Sequence, residues 1–211
     1  MTKKYKSFLN RNIFSILQIL SCILLIVAIV FPRTYKIQQQ YGNGNNSITT
    51  PFKKDTTIEG TFISKSDYMN QVGIVFSTFT KKNETGSINI IIADTEQNPI
   101  KEINEDIKNL IDNQTYYIEF DEIKDSKNKL YHINITCQHC TEEVSLTTWY
   151  SDSNNNKEYT VIDGVKSEKV LTLTTSGKKK DYTYTIFPVL LLALSSTLKT
   201  LKENEKNNRN I

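Results

Sequence analysis

The chain has 211 residues, which is enough for one domain and additional membrane segments. Its 26 Lys and Arg nearly balance its 23 Asp and Glu, and no basic stripe interleaved with aromatic residues stands out. Because nucleic-acid binding requires clustered Lys and Arg that neutralise phosphates, we expect no nucleic-acid partner. The sequence also lacks a phosphate-binding loop and a dinucleotide fingerprint, so we expect no cofactor.

Residues 13–31 form an apolar stretch of nineteen residues without a charged side chain. A helix of this length comes close to spanning the roughly 30 Å hydrocarbon core of a bilayer. The preceding residues 1–12 carry the basic side chains Lys3, Lys4, Lys6 and Arg11. Because positive charge is retained on the cytoplasmic side, we expect a cytoplasmic tail at 1–12, a transmembrane helix at 13–31, and export of the chain beyond Phe31.

Two alternatives exist for this stretch. A cleaved signal peptide would have a shorter apolar run and small residues at its end, whereas this run ends in Val30, Phe31 and Pro32. Residues 19–22 resemble a lipoprotein signal, which would make Cys22 a lipidation site. Nine further apolar residues follow Cys22, where a mature lipoprotein normally becomes polar. We therefore favour the uncleaved helix, with Cys22 as a small apolar residue within it.

Residues 32–55 read as a flexible linker, because they show no apolar period and contain several turn-forming residues. From residue 56 the pattern changes to short alternating segments separated by turns, which predict an exported antiparallel β-sandwich over 56–181. Residues 100–111 are ambiguous between a helix and a strand. The predicted strands are 58–63, 72–80, 87–94, 115–120, 130–137, 143–150, 159–162 and 170–174.

A second uncharged stretch covers residues 182–198, and basic residues follow it at Lys199, Lys202, Lys206 and Arg209. Seventeen residues are at the lower limit for a membrane span. We therefore expect a second transmembrane helix at 182–201 and a cytoplasmic tail at 202–211. The alternative is a strand over 182–187, followed by a short helix that begins at Pro188.

Several segments in order resemble a known kind of domain. They are residues 60–64 (GTFIS), 69–79 (MNQVGIVFSTF), 83–90 (NETGSINI), 118–120 (IEF) and 125–131 (DSKNKLY). The set resembles jelly-roll, carbohydrate-binding-module-like ectodomains of bacterial membrane proteins associated with surface-polysaccharide glycosyltransferases. The resemblance covers about residues 56–150 and departs from the pattern at Gly60 and Asn128. It implies a sandwich fold in the cell envelope and transfers no activity.

The most conspicuous local motif is Cys137-Gln138-His139-Cys140. A C-x-x-C pair outside the cytoplasm is compatible with a disulfide, two unpaired thiols, half a zinc site or a redox pair. Zinc needs four ligands, and His139 between the two cysteines makes joint ligation awkward even with His132 nearby. A redox site needs a helix N-terminus beneath its first cysteine, whereas a predicted strand precedes Cys137. We favour the disulfide and expect no metal site.

No catalytic constellation emerges from the remaining polar residues. The carboxylates fall mostly in turns and on wet strand faces, and two histidines offer little material for a triad. Aromatic residues are the better candidates for a binding site, because their rings can stack on sugar rings. The candidates are Tyr117, Trp149 and Tyr150; the alternative for Trp149, and for the neighbouring Tyr116 and Tyr131, is a place in the core.

These patterns favour a non-enzymatic membrane-anchored protein whose exported sandwich binds or senses an envelope component such as polysaccharide. The expected partners are the lipid bilayer and either envelope polysaccharide or a membrane protein. The alternative function is a structural or regulatory subunit of a polysaccharide polymerase or transporter, acting through its membrane helices. Gln18 and Ser21 in the first span would then assist helix association.

Overall fold

The computed structural model describes residues 3–42, 47–49, 51–80, 85–140, 146–153 and 156–208, with the side chains of 12 onwards except that of 206. The chain forms two compact units. One contains the residues up to 35 and from 180, and the other contains residues 36–179. The first unit is mainly helical and the second is a β-structure.

The secondary structure follows the order of a helix, thirteen strands and a second helix among the described residues. The helices are α1 (Lys3–Val30) and α2 (Ile186–Asn208). Short 3₁₀ turns lie at Ile107–Asn109 and Thr183–Thr185. The strands are β1 (Arg33–Gln40), β2 (Ser47–Ile48), β3 (Thr57–Ile63), β4 (Tyr68–Ser77), β5 (Ser87–Ala93), β6 (Pro99–Asp106), β7 (Thr115–Lys124), β8 (Leu130–Gln138), β9 (Thr147–Asp152), β10 (Thr160–Ile162), β11 (Val165–Ser167), β12 (Lys169–Leu171) and β13 (Leu173–Asp181).

The strands form two antiparallel sheets in a sandwich-like arrangement, which confirms the predicted fold class. The seven-stranded sheet has the order β1-β13-β4-β9-β12, with β7 added beside β4 and β2 beside β9. The six-stranded sheet has the order β11-β10-β3-β8-β5-β6. The apolar side chains of both sheets meet between them, as expected for strands with one wet and one buried face.

The core confirms the two-residue period read from the sequence. In β8 the side chains of Tyr131, Ile133 and Ile135 are buried, whereas the alternating positions between them are half-buried. Phe62 of β3 is fully buried and stacks on Tyr131 with 5.6 Å between ring centroids. Tyr41 packs edge-on against the other side of Phe62. Burial raises the pKa of Tyr41 to about 12.

The predicted linker over residues 32–55 is wrong in part, because residues 33–40 form strand β1 beside β13. Tyr41 and Phe52 are buried as well, and the Tyr41 hydroxyl donates to the Ile63 carbonyl at 2.8 Å. The apolar period is weak because β1 is an edge strand, so only alternate residues from Ile37 to Tyr41 turn toward the core.

The ambiguous segment at residues 100–111 is an edge strand followed by a 3₁₀ turn. Strand β6 pairs with β5 along its whole length, and Ile107 and Leu110 then close over the core. Strand β13 extends seven residues beyond the predicted end at 174. Residues 81–84 and 143–145, predicted as a turn and as the start of a strand, lie outside the described residues.

The helical unit contains two helices that are long and apolar enough to cross a membrane, over Asn12–Val30 and Thr183–Glu205. The strand alternative for 182–187 is wrong, because a 3₁₀ turn leads directly into α2 and Pro188 lies in its first turn, where proline is tolerated. The two helices are joined by polar contacts. The Gln18 side chain donates to Ser196 at 2.9 Å, and the Tyr184 hydroxyl donates to the Ala28 carbonyl at 2.7 Å.

The substitution Phe62→Ala tests the position of the core. Because it removes a fully buried ring that stacks on Tyr131, we expect the free energy of unfolding to fall by about 3–5 kcal/mol. The measurement is denaturant unfolding of the full-length chain in detergent, followed by the fluorescence of Trp149, the single tryptophan. The control is Val165→Ala at a side chain that is 72% exposed. Equal stability of the two variants would contradict the described core.

Candidate ligand-binding groove

A groove of about 420 Å³ lies on the outer face of the seven-stranded sheet. Because Val72 and Ile74 of β4 point into the core, Gln71 and Gly73 point outward. The pairing register of β4 shifts at Asn70 on both sides, which adds this residue to the same surface. The groove is lined by Lys36, Ile37, Gln38, Asn70, Gln71, Glu119, Ser176, Gly177 and Lys178.

The Tyr117 ring lies beside this groove, across the backbone of Gly73. The two residues are directly opposite each other in the β4–β7 register. A Cβ at position 73 would lie 2.5 Å from Cγ2 of Thr115 and 2.9 Å from both Cδ1 and Cε1 of Tyr117, so glycine leaves room for both side chains. The Tyr117 hydroxyl accepts a hydrogen bond from Gln38 Nε2 at 3.3 Å, on the far side of the groove. Tyr117 remains 46% exposed, so a large part of its side chain is accessible to solvent.

The groove presents hydrogen-bond donors and acceptors side by side. Gln71 Nε2 donates to Glu119 Oε1 at 3.1 Å, which holds both groups on the surface. The Lys178 ammonium pairs with the Glu122 carboxylate next to the groove. Amides, a hydroxyl, a carboxylate and ammonium groups therefore line a groove beside one exposed aromatic ring, an arrangement suited to a neutral polyhydroxylated ligand.

The structure does not bring Trp149 and Tyr150 together with Tyr117. They are neighbours in β9, so their side chains project to opposite faces of the sheet. Trp149 Nε1 donates to Asn113 Oδ1 at 3.1 Å. The Lys169 ammonium lies 5.1 Å from the centre of the Tyr150 ring. Both residues are half-buried and neither lines the groove.

Tyr116 and Tyr131 face the interior, as the alternative interpretation of the aromatic residues predicted. Tyr131 is 2% exposed, and Tyr116 is half-buried against the core. The Tyr116 hydroxyl donates to Glu105 Oε2 at 2.5 Å. Burial, together with this carboxylate, raises the pKa of Tyr116 to about 12. These two rings support the fold and are not available for stacking.

Cys137 and Cys140 are joined by a disulfide at the end of β8, and both are buried. His139 projects to solvent between them with a φ of +54°. Gly86 approaches closely, since a Cβ there would lie 3.2 Å from the Cys140 sulfur. The described part of the chain contains no group of three or more His, Cys, Asp or Glu side chains that could hold a metal ion.

Sequence reasoning identified Tyr117 but missed the polar residues around it. Gln38 was placed in the predicted linker, and Ser176 and Lys178 lay beyond the predicted end of the last strand. A usable signal is the alternation of Tyr35, Ile37, Gln39 and Tyr41. Ile37, Gln39 and Tyr41 turn inward, and Tyr35 continues the same alternation at an exposed position. This alternation is the pattern of an edge strand with polar residues between weakly apolar ones.

No protein-family model matches the chain, and no curated protein matches it. Among solved structures, one of infectious bursal disease virus Gt strain is 10% identical, with a TM-score of 0.21, over 86% of this chain and 55% of that chain. The flagellar cap protein FliD D1-D2-D3 domains from Escherichia coli are 11% identical, with a TM-score of 0.21, over 92% of this chain and 71% of that chain. The chain thus spans about half the length of the viral protein. Likeness at this level carries no argument about fold or function.

Thiol labelling tests the disulfide in the full-length chain. Because Cys137 and Cys140 are joined, a maleimide applied to the denatured, unreduced protein should label one of the three cysteines, Cys22. After reduction all three should react, and mass spectrometry counts the labels. The control variant Cys22→Ser should show no label before reduction. Three labels without reductant would show that the pair is open.

Proposed function

We propose that this chain is a non-enzymatic, membrane-anchored protein of the cell envelope whose β-unit binds a glycan in the groove beside Tyr117. The observation that carries the proposal is the Tyr117 ring, which packs against Gly73 and remains 46% exposed, with the polar side chains of the groove beside it. The face of an aromatic ring carries negative charge density, so it attracts the weakly positive C–H groups on one side of a sugar ring.

The polar lining suits hydroxyl groups as partners. Gln71, Asn70 and Gln38 each offer both a donor and an acceptor, and Glu119 adds a carboxylate. A volume of about 420 Å³ falls within the range of roughly 300–1,000 Å³ found for small-molecule pockets. The groove is open at the sheet surface, so an internal segment of a long polymer can enter it as readily as a chain end.

The helical unit supports the membrane anchor. Only 11% of each candidate span is buried within the structure, so neither helix is the buried core helix of a globular domain. The large apolar side chains that remain exposed include Ile19, Ile23 and Ile26 of α1 and Leu190 and Leu194 of α2. Burying them in hydrocarbon removes the cost of exposing them to water.

The orientation follows from charge and from the disulfide. Basic residues at 3–11 and 199–209 flank the outer ends of the two helices, which favours a cytoplasmic position for both chain ends. The β-unit between them is then extracytoplasmic. A disulfide between Cys137 and Cys140 is compatible with that compartment, because disulfides persist in oxidising environments.

The alternative function is partner binding through the membrane helices. Its motivating observation is the pair of polar residues Gln18 and Ser21 in the first span, and both have partners within the chain. Gln18 donates to Ser196, and the Ser21 hydroxyl donates to the Pro188 carbonyl. These polar groups are therefore satisfied within the helical unit. The pocket around Glu158 offers no acid–base pair for catalysis. Burial raises the pKa of Glu158, but the other charged residues that line this pocket are lysines, and it contains no second carboxylate.

Topology can be tested in intact cells with single cysteines in a Cys22→Ser background. A membrane-impermeant maleimide should label Val165→Cys, at a position 72% exposed in the β-unit, before lysis. It should label Glu203→Cys, near the end of α2, only after lysis. Both variants should stay in the membrane fraction after alkaline carbonate extraction. The reverse labelling pattern, or release by carbonate, would contradict the proposed anchoring.

Binding is tested with the full-length chain on an array of cell-wall and capsular glycans. A polyoxyethylene detergent is used, because a sugar-headed detergent would compete for the groove. For a glycan that binds, Tyr117→Ala should weaken affinity about tenfold, since aromatic stacking contributes roughly 0.5–1.5 kcal/mol beyond buried area. Gly73→Val should have a similar effect, because its side chain displaces the ring.

The matched control for glycan binding is Tyr35→Ala. Tyr35 is 48% exposed, close to the 46% of Tyr117, and does not line the groove. Its removal should leave affinity unchanged. Absence of binding across the array, or equal affinity of Tyr117→Ala and the unsubstituted chain, would sink the proposal.

A further inference from the structure

A second concave site, the end pocket, lies where the two sheets of the β-unit meet at one end. It has a volume of about 560 Å³. The lining residues are Ile63, Lys65, Lys127, Asn128, Lys157, Glu158 and Lys179. Four of the seven are lysines and one is a carboxylate, so the pocket carries an excess of three positive charges when Glu158 is ionised.

The lysines converge from four separate segments of the fold. In β13, Thr175 and Gly177 are buried, so Lys179 continues the inward-facing row beyond the end of the core. Lys65 follows β3, Lys127 lies in the turn between β7 and β8, and Lys157 precedes β10. The pairing of β3 with β8 and β10 in one sheet brings Lys65, Lys127 and Lys157 together, and the packing of the two sheets adds Lys179 from β13.

The loops that carry Lys65 and Lys127 are fixed by buried hydrogen bonds. The Asn128 backbone N–H donates to the Ser64 carbonyl at 2.7 Å. The Ser126 hydroxyl donates to the Ser66 carbonyl at 2.8 Å. All three serines have no exposed surface. The positive side chains therefore project from a rigid base, which lowers the ordering cost of binding.

The lysines of the pocket outnumber its carboxylate, Glu158, which interacts electrostatically with Lys65. Among the described residues, no carboxylate lies within 4.0 Å of the ammonium groups of Lys65, Lys127 or Lys179. Glu158 is half-buried, and it accepts a long hydrogen bond of 3.4 Å from the Ile63 backbone N–H. Like charges in a concave surface repel one another and focus a positive potential, which a bound anion relieves.

We propose that the end pocket binds a phosphate group, as a monoester or a diester. Ammonium groups bind phosphate as point charges and donate charge-assisted hydrogen bonds to its oxygens. Asn128 offers a further donor at the pocket wall. The proposal is independent of the glycan groove, because the two sites share no lining residue and lie on opposite faces of β13.

Phosphate of this kind has two sources in a cell envelope. One is a water-soluble phosphate ester, such as a glycerol phosphate unit, and the other is the headgroup of an anionic phospholipid. Lys179 precedes the first residue of α2, a proposed membrane helix, by only seven positions in the sequence. A lipid headgroup is therefore tested alongside the soluble ester.

The experiment is calorimetric titration of the full-length chain in a non-ionic detergent. The probes are inorganic phosphate, glycerol 3-phosphate and dihexanoyl phosphatidylglycerol. The double variant Lys65→Gln/Lys127→Gln should bind about tenfold or more weakly, because it removes two of the four cations. Glu158→Gln should bind more tightly, because it removes the repelling carboxylate and keeps an acceptor for the Ile63 N–H. Added salt should weaken every interaction.

The matched control is Lys54→Gln/Lys101→Gln, which makes the same change in net charge at exposed lysines outside the pocket. This variant and Tyr117→Ala should bind phosphate as the unsubstituted chain does, and thermal unfolding should show that all variants fold. Binding of glycerol 3-phosphate that the double variant loses assigns a soluble ester. Binding of the lipid alone, lost in the same variant, assigns a headgroup. Absence of saturable binding by all three probes, or equal binding by the double variant, would overturn the proposal.

Discussion

The pairing of the first long strand with the last one is the constraint on which the β-unit depends. Strand β1 lies beside β13, and the Tyr41 backbone N–H donates to the Leu173 carbonyl at 2.8 Å where the two strands meet the core. This single pairing buries Tyr41 against Phe62 and supplies one wall of the groove through Gln38. The opposite face of β13 carries Lys179 into the end pocket. The groove therefore depends on this long-range strand contact, whereas the end pocket shares only β13 with it.

The surface beside the groove shows how a missing side chain can make room for a neighbouring ring. A β-strand normally covers its wet face with side chains, but Gly73 leaves a gap that the ring of Tyr117 fills from the neighbouring strand. The ring is thereby held against the sheet. Gln38 holds its hydroxyl from the other side. The contact between Tyr117 and Gly73 therefore stabilises the sheet and also fixes the position of the ring.

The helical unit and the β-unit differ in which side chains they bury and which they expose. In the β-unit the apolar side chains face one another between two sheets, and the polar faces remain in water. In the helical unit the polar side chains face one another, as Gln18 does with Ser196, and the large apolar ones point outward. A hydrocarbon environment favours this arrangement, because the polar side chains of Gln18 and Ser21 have partners within the unit.

Elements with a local signal can be predicted from the residue pattern alone. The two apolar runs predict the helices. The period of two in segments such as Tyr131, Ile133 and Ile135 predicts the core strands and their inward faces, because a strand buried on one side has apolar residues at alternate positions. Which strands are neighbours follows from long-range packing, which no local pattern shows. Edge strands such as β1 bury too few side chains to show a clear period. The sequence therefore predicts a linker at Gln38, and its place beside Tyr117 is known only from the structure. The same holds for Lys65, Lys127 and Lys179, which are far apart in sequence. The pairing of β3 with β8 brings the first two together, and the packing of the two sheets adds Lys179.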